Sequence, residues 1–191
     1  MMLGHPATYI DAAWITAAVV WVIGAFTTKR TVRRQSSASR LLDLGEAWLA
    51  LLLLSAKRMQ FGLLALRFVP DWSGVAWLGV AVTLAGVALG ICARLFLGSN
   101  WSATVTIKER HTLVRRGPYA LVRHPIYSGF LLAIFGTALA IGEIRALIGA
   151  SVVLAILVHK IFLEERFMSE QFGAEYAEYR REVKALVPFV W

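Results

Sequence analysis

Between His111 and Gly129 the chain groups residues able to hold a polar cofactor: His111-Thr112-Leu113-Val114, then Gly117-Pro118-Tyr119, then Arg123-His124-Pro125-Ile126-Tyr127-Ser128-Gly129. Pro125 has no amide proton and suits the first turn of a helix. It also pushes His124 toward extended geometry. A helix starting there turns free amide groups toward the preceding loop, and such an N-terminus binds polar or anionic ligand groups. Tyr127 and Ser128 add a ring and hydroxyls. Gly117-Pro118-Tyr119 reads as a turn that brings residues 111–114 back over the same region. Leu113 and Val114 could then cover one face of a flat heterocycle while their backbone amides bond its edge. Blander roles exist for the same residues: His124 bonding a carbonyl, and Arg123 lying among phosphate head groups.

A second group is His159, Lys160, Glu164 and Glu165. Lys160 and Glu164 are four apart, so they share a helical face. Carboxylates at the end of an apolar helix are costly unless paired or wet. They form either a salt-bridged helix terminus or a site where one carboxylate meets a cationic group of a ligand. No metal site is expected. The single cysteine, Cys92, lies in an apolar run and is expected to pack as a small hydrophobe.

The elements that must position these groups are membrane helices. The chain has 191 residues, is 58% hydrophobic and has a mean hydropathy of +0.64. That is one domain by length, too apolar for an ordinary soluble fold. Apolar spans are expected at about 9–28, 42–68, 75–97, 126–141 and 146–163, with a turn at Pro70-Asp71-Trp72-Ser73-Gly74 and a tight reversal at Gly142-Glu143-Ile144-Arg145. Lys57 and Arg58 interrupt the second span, where they either line a path or snorkel to head groups. The first span has no basic region ahead of it and reads as an uncleaved anchor.

The formal charge of +8 sits in the first loop, the long loop and the tail. Five spans put all three on one side, so the N-terminus is expected outside and the C-terminus and site in the cytosol. Attraction to anionic head groups accounts for the charge, and no nucleic-acid motif accompanies it. Phe172, Tyr176 and Tyr179 fall on one helical face, as in an amphipathic helix that either lies on the membrane surface or acts as a lid. The fold class is therefore all-α: a single membrane domain over 1–191, with three N-terminal spans in 1–97 and the loop, helical hairpin and amphipathic helix in 98–191.

The ordered set Trp101-Ser102, His111-x-Leu113-Val114, Gly117-Pro118-Tyr119, Arg123-His124-Pro125-x-Tyr127-x-Gly129, Glu164-Glu165 and Phe172-Gly173-x-x-Tyr176-x-x-Tyr179 resembles the isoprenylcysteine carboxyl methyltransferase family. The resemblance covers the half of the chain after Leu97. It implies S-adenosylmethionine as cofactor and carboxyl O-methylation of an isoprenylcysteine-like, lipophilic substrate. It makes His111, Thr112, Leu113 and Val114 a first cofactor strip, with Gly117, Pro118 and Tyr119 beside it. His124, Pro125, Ile126 and Tyr127 form a second strip, and Glu164 is the carboxylate against the cofactor. Thr104 stands where eukaryotic members carry a cofactor-contacting glutamine. Lys160 stands where they have an arginine that grips the substrate carboxylate, and lysine lacks the bidentate fork.

Lys160, Glu165 and Arg123 are the residues expected nearest the chemistry. A carboxylate acceptor is already ionised at neutral pH and needs no general base, so Arg123 and His124 would position. A phospholipid amine or a thiol would want a deprotonating group, for which His111, His124 and Glu165 are the candidates. An NADPH-dependent sterol-reductase-like enzyme and a non-catalytic lipid-binding protein are the rival readings. The expected partners are membrane lipid and a prenylated or other lipophilic substrate, with neither nucleic acid nor an obligate protein partner. A prokaryotic inner membrane is favoured over endoplasmic reticulum.

Overall fold

A computed structural model of the chain describes residues 5–26, 31–34, 62–101, 106–108 and 112–191. Its elements are α1 (Pro6–Ala25), β1 (Thr31–Arg34), α2 (Ser73–Leu97), β2 (Thr106–Lys108), α3 (Pro125–Ile141), α4 (Ile144–Phe172) and α5 (Ala174–Glu182). The all-α expectation holds apart from β1 and β2. These pair antiparallel, Thr31 opposite Lys108 and Arg34 opposite Thr106. Among the described residues α1, α2 and α4 are long and apolar enough to cross a membrane, and α3 is a shorter apolar helix.

The core of the bundle is the α2–α3 interface, where small residues let two backbones touch. Gly79, Thr83, Gly86 and Gly90 of α2 meet Gly129, Ala133, Gly136 and Ala140 of α3. A Cβ at Gly86 would stand 2.3 Å from the Ala133 nitrogen, and one at Gly136 would stand 2.6 Å from the Thr83 nitrogen. Small residues at such spacing drive helix association in lipid through close packing. Thr83 is fully buried; its hydroxyl donates to the Gly79 carbonyl at 2.8 Å and lies 3.3 Å from the Thr137 hydroxyl. The Trp14 indole of α1 donates to Thr137 at 3.0 Å, tying the third helix to the pair.

At one end α3 turns into α4 through Gly142, whose φ of 73° is left-handed and free of penalty only for glycine. Residues 66–68 lie across this turn: the Phe68 amide donates to Gly142 at 3.0 Å and the Ile144 amide to Leu66 at 2.8 Å. The expected second span is therefore too long at its C-terminal end. From Gly62 on, the chain makes a 3-10 turn and then an extended bridge to Glu143. The rest of that span, with Lys57 and Arg58, lies outside the described residues.

Three further expectations are corrected. The last span does not end near Leu163: α4 runs 29 residues to Phe172, about 43 Å at 1.5 Å per residue, and so outruns a hydrocarbon core of about 30 Å. Its final turns carry Glu164 and Glu165 beyond the apolar stretch. The Phe172–Tyr179 stripe is not one helix, because Gly173 (φ 51°) ends α4 and starts α5 in a new direction. Cys92 is exposed on α2 rather than packed inside.

Candidate functional site

The charged end of the bundle is assembled from four pieces: the loop 112–124, the first turn of α3, the last turns of α4, and α5 with the segment after it. Pro125 starts α3 as expected, and His124 precedes it with a non-helical backbone (φ −122°, ψ 57°). The helix end is not left open. The Arg123 amide donates to Lys184 at 2.8 Å, the His124 amide to Ala185 at 3.0 Å, and the Ser128 hydroxyl to Leu186 at 2.6 Å. The segment 184–186 thus covers part of the α3 start.

Side chains of adjacent residues then point at adjacent carboxylates. Arg123 bonds Glu165 through Nε at 2.8 Å and also through Nη2, and its Nη1 donates to the Val183 carbonyl. Arg180 of α5 reaches the other Glu165 oxygen at 3.2 Å. His124 lies between the two glutamates, with Nδ1 3.3 Å from Glu164 Oε2 and Nε2 3.4 Å from Glu165 Oε1. A ring that faces a carboxylate at both nitrogens can donate at both only as imidazolium. Burial opposes that charge, but bonds to Glu164 and Glu165 outweigh it and hold the His124 pKa above its ordinary value. The Tyr127 hydroxyl donates to Glu164 Oε1, and its ring stacks on His124 at 5.7 Å.

The two glutamates differ in access. The Glu165 side chain is 8% exposed and has both oxygens engaged by cations. Glu164 is 27% exposed. Its carboxylate keeps acceptor capacity beyond the bonds to His124 and Tyr127.

Beside this cluster, the 3-10 turn Gly117–Ala120 buries Tyr119 against Trp101, Ile126 and Val114. Tyr179 of α5 donates to the Tyr119 carbonyl at 2.5 Å. Burial, with Glu164 and Tyr179 nearby, raises the Tyr119 phenol well above its usual range, and it stays neutral at physiological pH. Burial likewise pushes Tyr179 up to about 12. Arg115 pairs with Glu182 at 2.7 Å and lies over the Tyr179 ring, which fastens the loop to α5 from outside.

The structure brings together Val114, Tyr119, Arg123, His124, Pro125, Ile126, Tyr127, Glu164 and Glu165. Gly117 and Pro118 form the turn before Tyr119. Thr112 is exposed and Leu113 half-buried at the loop's start, and Lys160 is half-buried one helical turn before Glu164. Thr104 and His111 lie outside the described residues. His159 is exposed. Arg123 is not among head groups and His124 does not serve a carbonyl. α5 turns one face into the protein, with Tyr176 and Tyr179 both 2% exposed, and leaves its other residues exposed.

Two cations join the site without having been expected there. Arg180 sits one residue past the Tyr179 stripe, where periodicity marks it as solvated. Arg94 ends α2 at 4% exposure. It donates to the Gly98 and Gly24 carbonyls at 2.8 and 2.7 Å, and its guanidinium lies 4.4 Å from the Trp101 ring centre. A cation in the last turn of an apolar helix was the available signal.

Apolar helices packed through small residues, with a charged cap at one end, define an integral-membrane helical protein. Solved structures include one with this fold, a eukaryotic intramembrane Ras methyltransferase: TM-score 0.59, 24% identity, covering 82% of this chain and 54% of that one. Residues 77–170 match the isoprenylcysteine carboxyl methyltransferase (ICMT) family. Protein-S-isoprenylcysteine O-methyltransferase B of Arabidopsis thaliana is 35% identical over 64% of this chain and 66% of its own length. The probable rice enzyme (Oryza sativa subsp. indica) is 29% identical over 83% and 84%. The Xenopus laevis enzyme is 33% identical over 63% of this chain but 44% of its own. The chain thus spans about two thirds of the Arabidopsis relative and under half of the Xenopus one. It belongs to the isoprenylcysteine carboxyl methyltransferase family.

Proposed function

We propose that this chain is an S-adenosylmethionine-dependent methyltransferase that esterifies the carboxylate of a lipophilic, isoprenylcysteine-like acceptor at the cytosolic face of its membrane. Family membership supports the reaction class. The observation that favours a carboxylate acceptor is the state of His124 and Glu165. An amine or thiol needs a group to take its proton, whereas a carboxylate does not. Both His124 ring nitrogens face a glutamate oxygen, at 3.3 and 3.4 Å, and Glu165 is closed off by Arg123, His124 and Arg180. Neither is free to act as a base.

The donor set suits the cofactor. Its cationic and hydroxyl-bearing parts need an accessible acceptor, and Glu164 offers one. Its flat base needs apolar cover, and Val114 and Tyr119 offer that. When bound, the cofactor supplies a methyl group on a positively charged sulfur. The chain's own residues orient and shield: His124 and Tyr127 fix the Glu164 carboxylate, and Arg123 and Glu165 lock the loop to α4. α5 closes over Tyr119. Lys160 offers a positive charge one turn from Glu164 for the acceptor carboxylate. Positioning of this kind can supply about 7–11 kcal/mol of barrier reduction.

The test is incubation of the membrane-reconstituted protein with methyl-labelled S-adenosylmethionine and three acceptor classes: prenylcysteines, phospholipid amines and lipophilic thiols. Label released by mild base as methanol from the prenylcysteine arm alone is the expected result. Transfer only to amines or thiols, or to none of the three, overturns the reading.

A further inference from the structure

After α5 the chain does not stay in water. Ala185 and Leu186 are buried in one apolar cluster with Leu131 of α3 and Leu157 and Ile161 of α4, with Phe135 and Val153 packed on it. These partners lie inside the apolar stretches of membrane helices, so the segment descends along the bundle toward the bilayer. Beyond it Val187, Phe189, Val190 and Trp191 are 50%, 93%, 73% and 43% exposed. Four apolar side chains within five residues, each exposed over about half of its surface or more, call for another apolar surface.

The backbone of this stretch closes in part on itself, as suits a boundary between lipid and head groups. Lipid-facing backbone must satisfy its own polar groups. Here the Leu186 and Val187 amides donate to a main-chain oxygen of Trp191 at 2.8 and 2.7 Å. The Val190 and Trp191 amides donate to the Val187 carbonyl at 3.1 and 3.2 Å. Pro188 has no amide proton, and the Phe189 amide, which takes no backbone partner among the described residues, is left to head groups or water. Phe189 takes a φ of 66°, the one left-handed non-glycine residue described, and that turn throws its ring outward. Arg180, Arg181 and Lys184 precede the turn, as basic residues do at an anionic head-group layer.

We propose that Val187–Trp191 is a re-entrant lipid anchor, a closed non-helical turn whose apolar side chains enter the bilayer at the head-group and acyl-chain boundary. It takes over the anchoring role that the spacing of Phe172, Tyr176 and Tyr179 suggests for α5. It sits one residue from the segment that accepts the Arg123 and His124 amides. Lipid contact therefore holds that strip on the start of α3.

The inference does not rest on the methyltransferase reading and is tested without activity. In a Cys92→Ala background, an environment-sensitive fluorophore is attached at Phe189→Cys or, separately, Val190→Cys. The protein is reconstituted in phosphatidylcholine–phosphatidylglycerol vesicles. Ala177→Cys, on the exposed side of α5, is the aqueous control. The expected result is blue-shifted emission at 189 and 190, quenched by acyl-chain-brominated lipid and shielded from iodide, with the opposite at 177. Water-like emission quenched by iodide at both 189 and 190 overturns the proposal. So does a blue shift that ignores brominated lipid and rises with protein-to-lipid ratio, which would place a second copy on the turn.

Discussion

The α2–α3 interface and the charged cap above it hold the same helices by opposite means. In the interface the backbones touch because the side chains are nearly absent: Gly79, Gly86, Gly129 and Gly136 leave no room for a single added carbon. In the cap the backbones are held apart by long side chains, Arg123, His124, Glu164, Glu165 and Arg180, which bridge three elements. The first arrangement tolerates no extra volume and is indifferent to pH. The second tolerates little change in charge and depends on proton occupancy. A membrane enzyme needs both, since lipid offers its helices no hydrophobic drive to associate, and its polar chemistry must sit where water can reach.

Glu165→Ala should be the most damaging single change in the cap. It leaves Arg123 and His124 buried without their shared carboxylate, and breaking a buried pair costs about 3–5 kcal/mol. Thermal unfolding in detergent should show a large fall in Tm, while Glu164→Ala, at a more open position, should cost less stability yet weaken S-adenosylhomocysteine binding by calorimetry. Equal loss of stability in the two variants would erase the proposed division between a structural and a ligand-facing glutamate. Next comes Gly86→Ala. Overpacking typically costs about 1–3 kcal/mol. The added carbon would meet the backbone of Ala133 rather than a side chain able to move. Gly74→Ala, with open space around it, should leave the melting curve unchanged.

Which of these features could be read from the chain follows from the physics of each. Helices α1, α2 and α3 announce themselves by apolar length, and Pro125 and Gly142 mark where α3 begins and turns. Gly79, Thr83, Gly86 and Gly90 stand at helical spacing in plain view, yet hydropathy overlooks them because glycine is neither strongly apolar nor polar. The proximity of His124 to Glu164 is legible only through a family pattern, since residues forty apart carry no periodic signal for each other. The role of 183–186 is not legible at all: it acts through backbone carbonyls, and any residue has one. Periodicity misleads at Phe172, Tyr176 and Tyr179, where the spacing is right for one helix and Gly173 divides it.

The cap's dependence on protons gives a smaller effect. His124 has a raised pKa in the folded protein, so its stabilising contribution is complete below its unfolded value of about 6.5 and is lost as pH climbs through the raised folded value. Deprotonation would leave one ring nitrogen with its lone pair against Glu164 or Glu165. The melting temperature should therefore decline as pH rises above about 6.5, and His124→Gln should start lower but lose that decline. A decline that is identical in the variant would assign the titration to another group.

The finest comparison is Tyr179→Phe. It removes one hydroxyl from a ring that is otherwise buried, so packing is kept and only the bond to the Tyr119 carbonyl at 2.5 Å is lost. A net hydrogen bond is worth about 0.5–1.5 kcal/mol, rising toward about 3 when the partner is left buried and unpaired. If α5 serves only to stabilise the cap, Tm should fall slightly and S-adenosylhomocysteine affinity should hold. If α5 positions Tyr119 against the cofactor, affinity should fall by more than stability does, because the 3-10 turn at Gly117–Ala120 is then free to shift the ring away from Val114 and Ile126. Unchanged affinity with a normal melting curve would remove α5 from the site and leave Arg115, with its pair to Glu182, as a surface fastening alone.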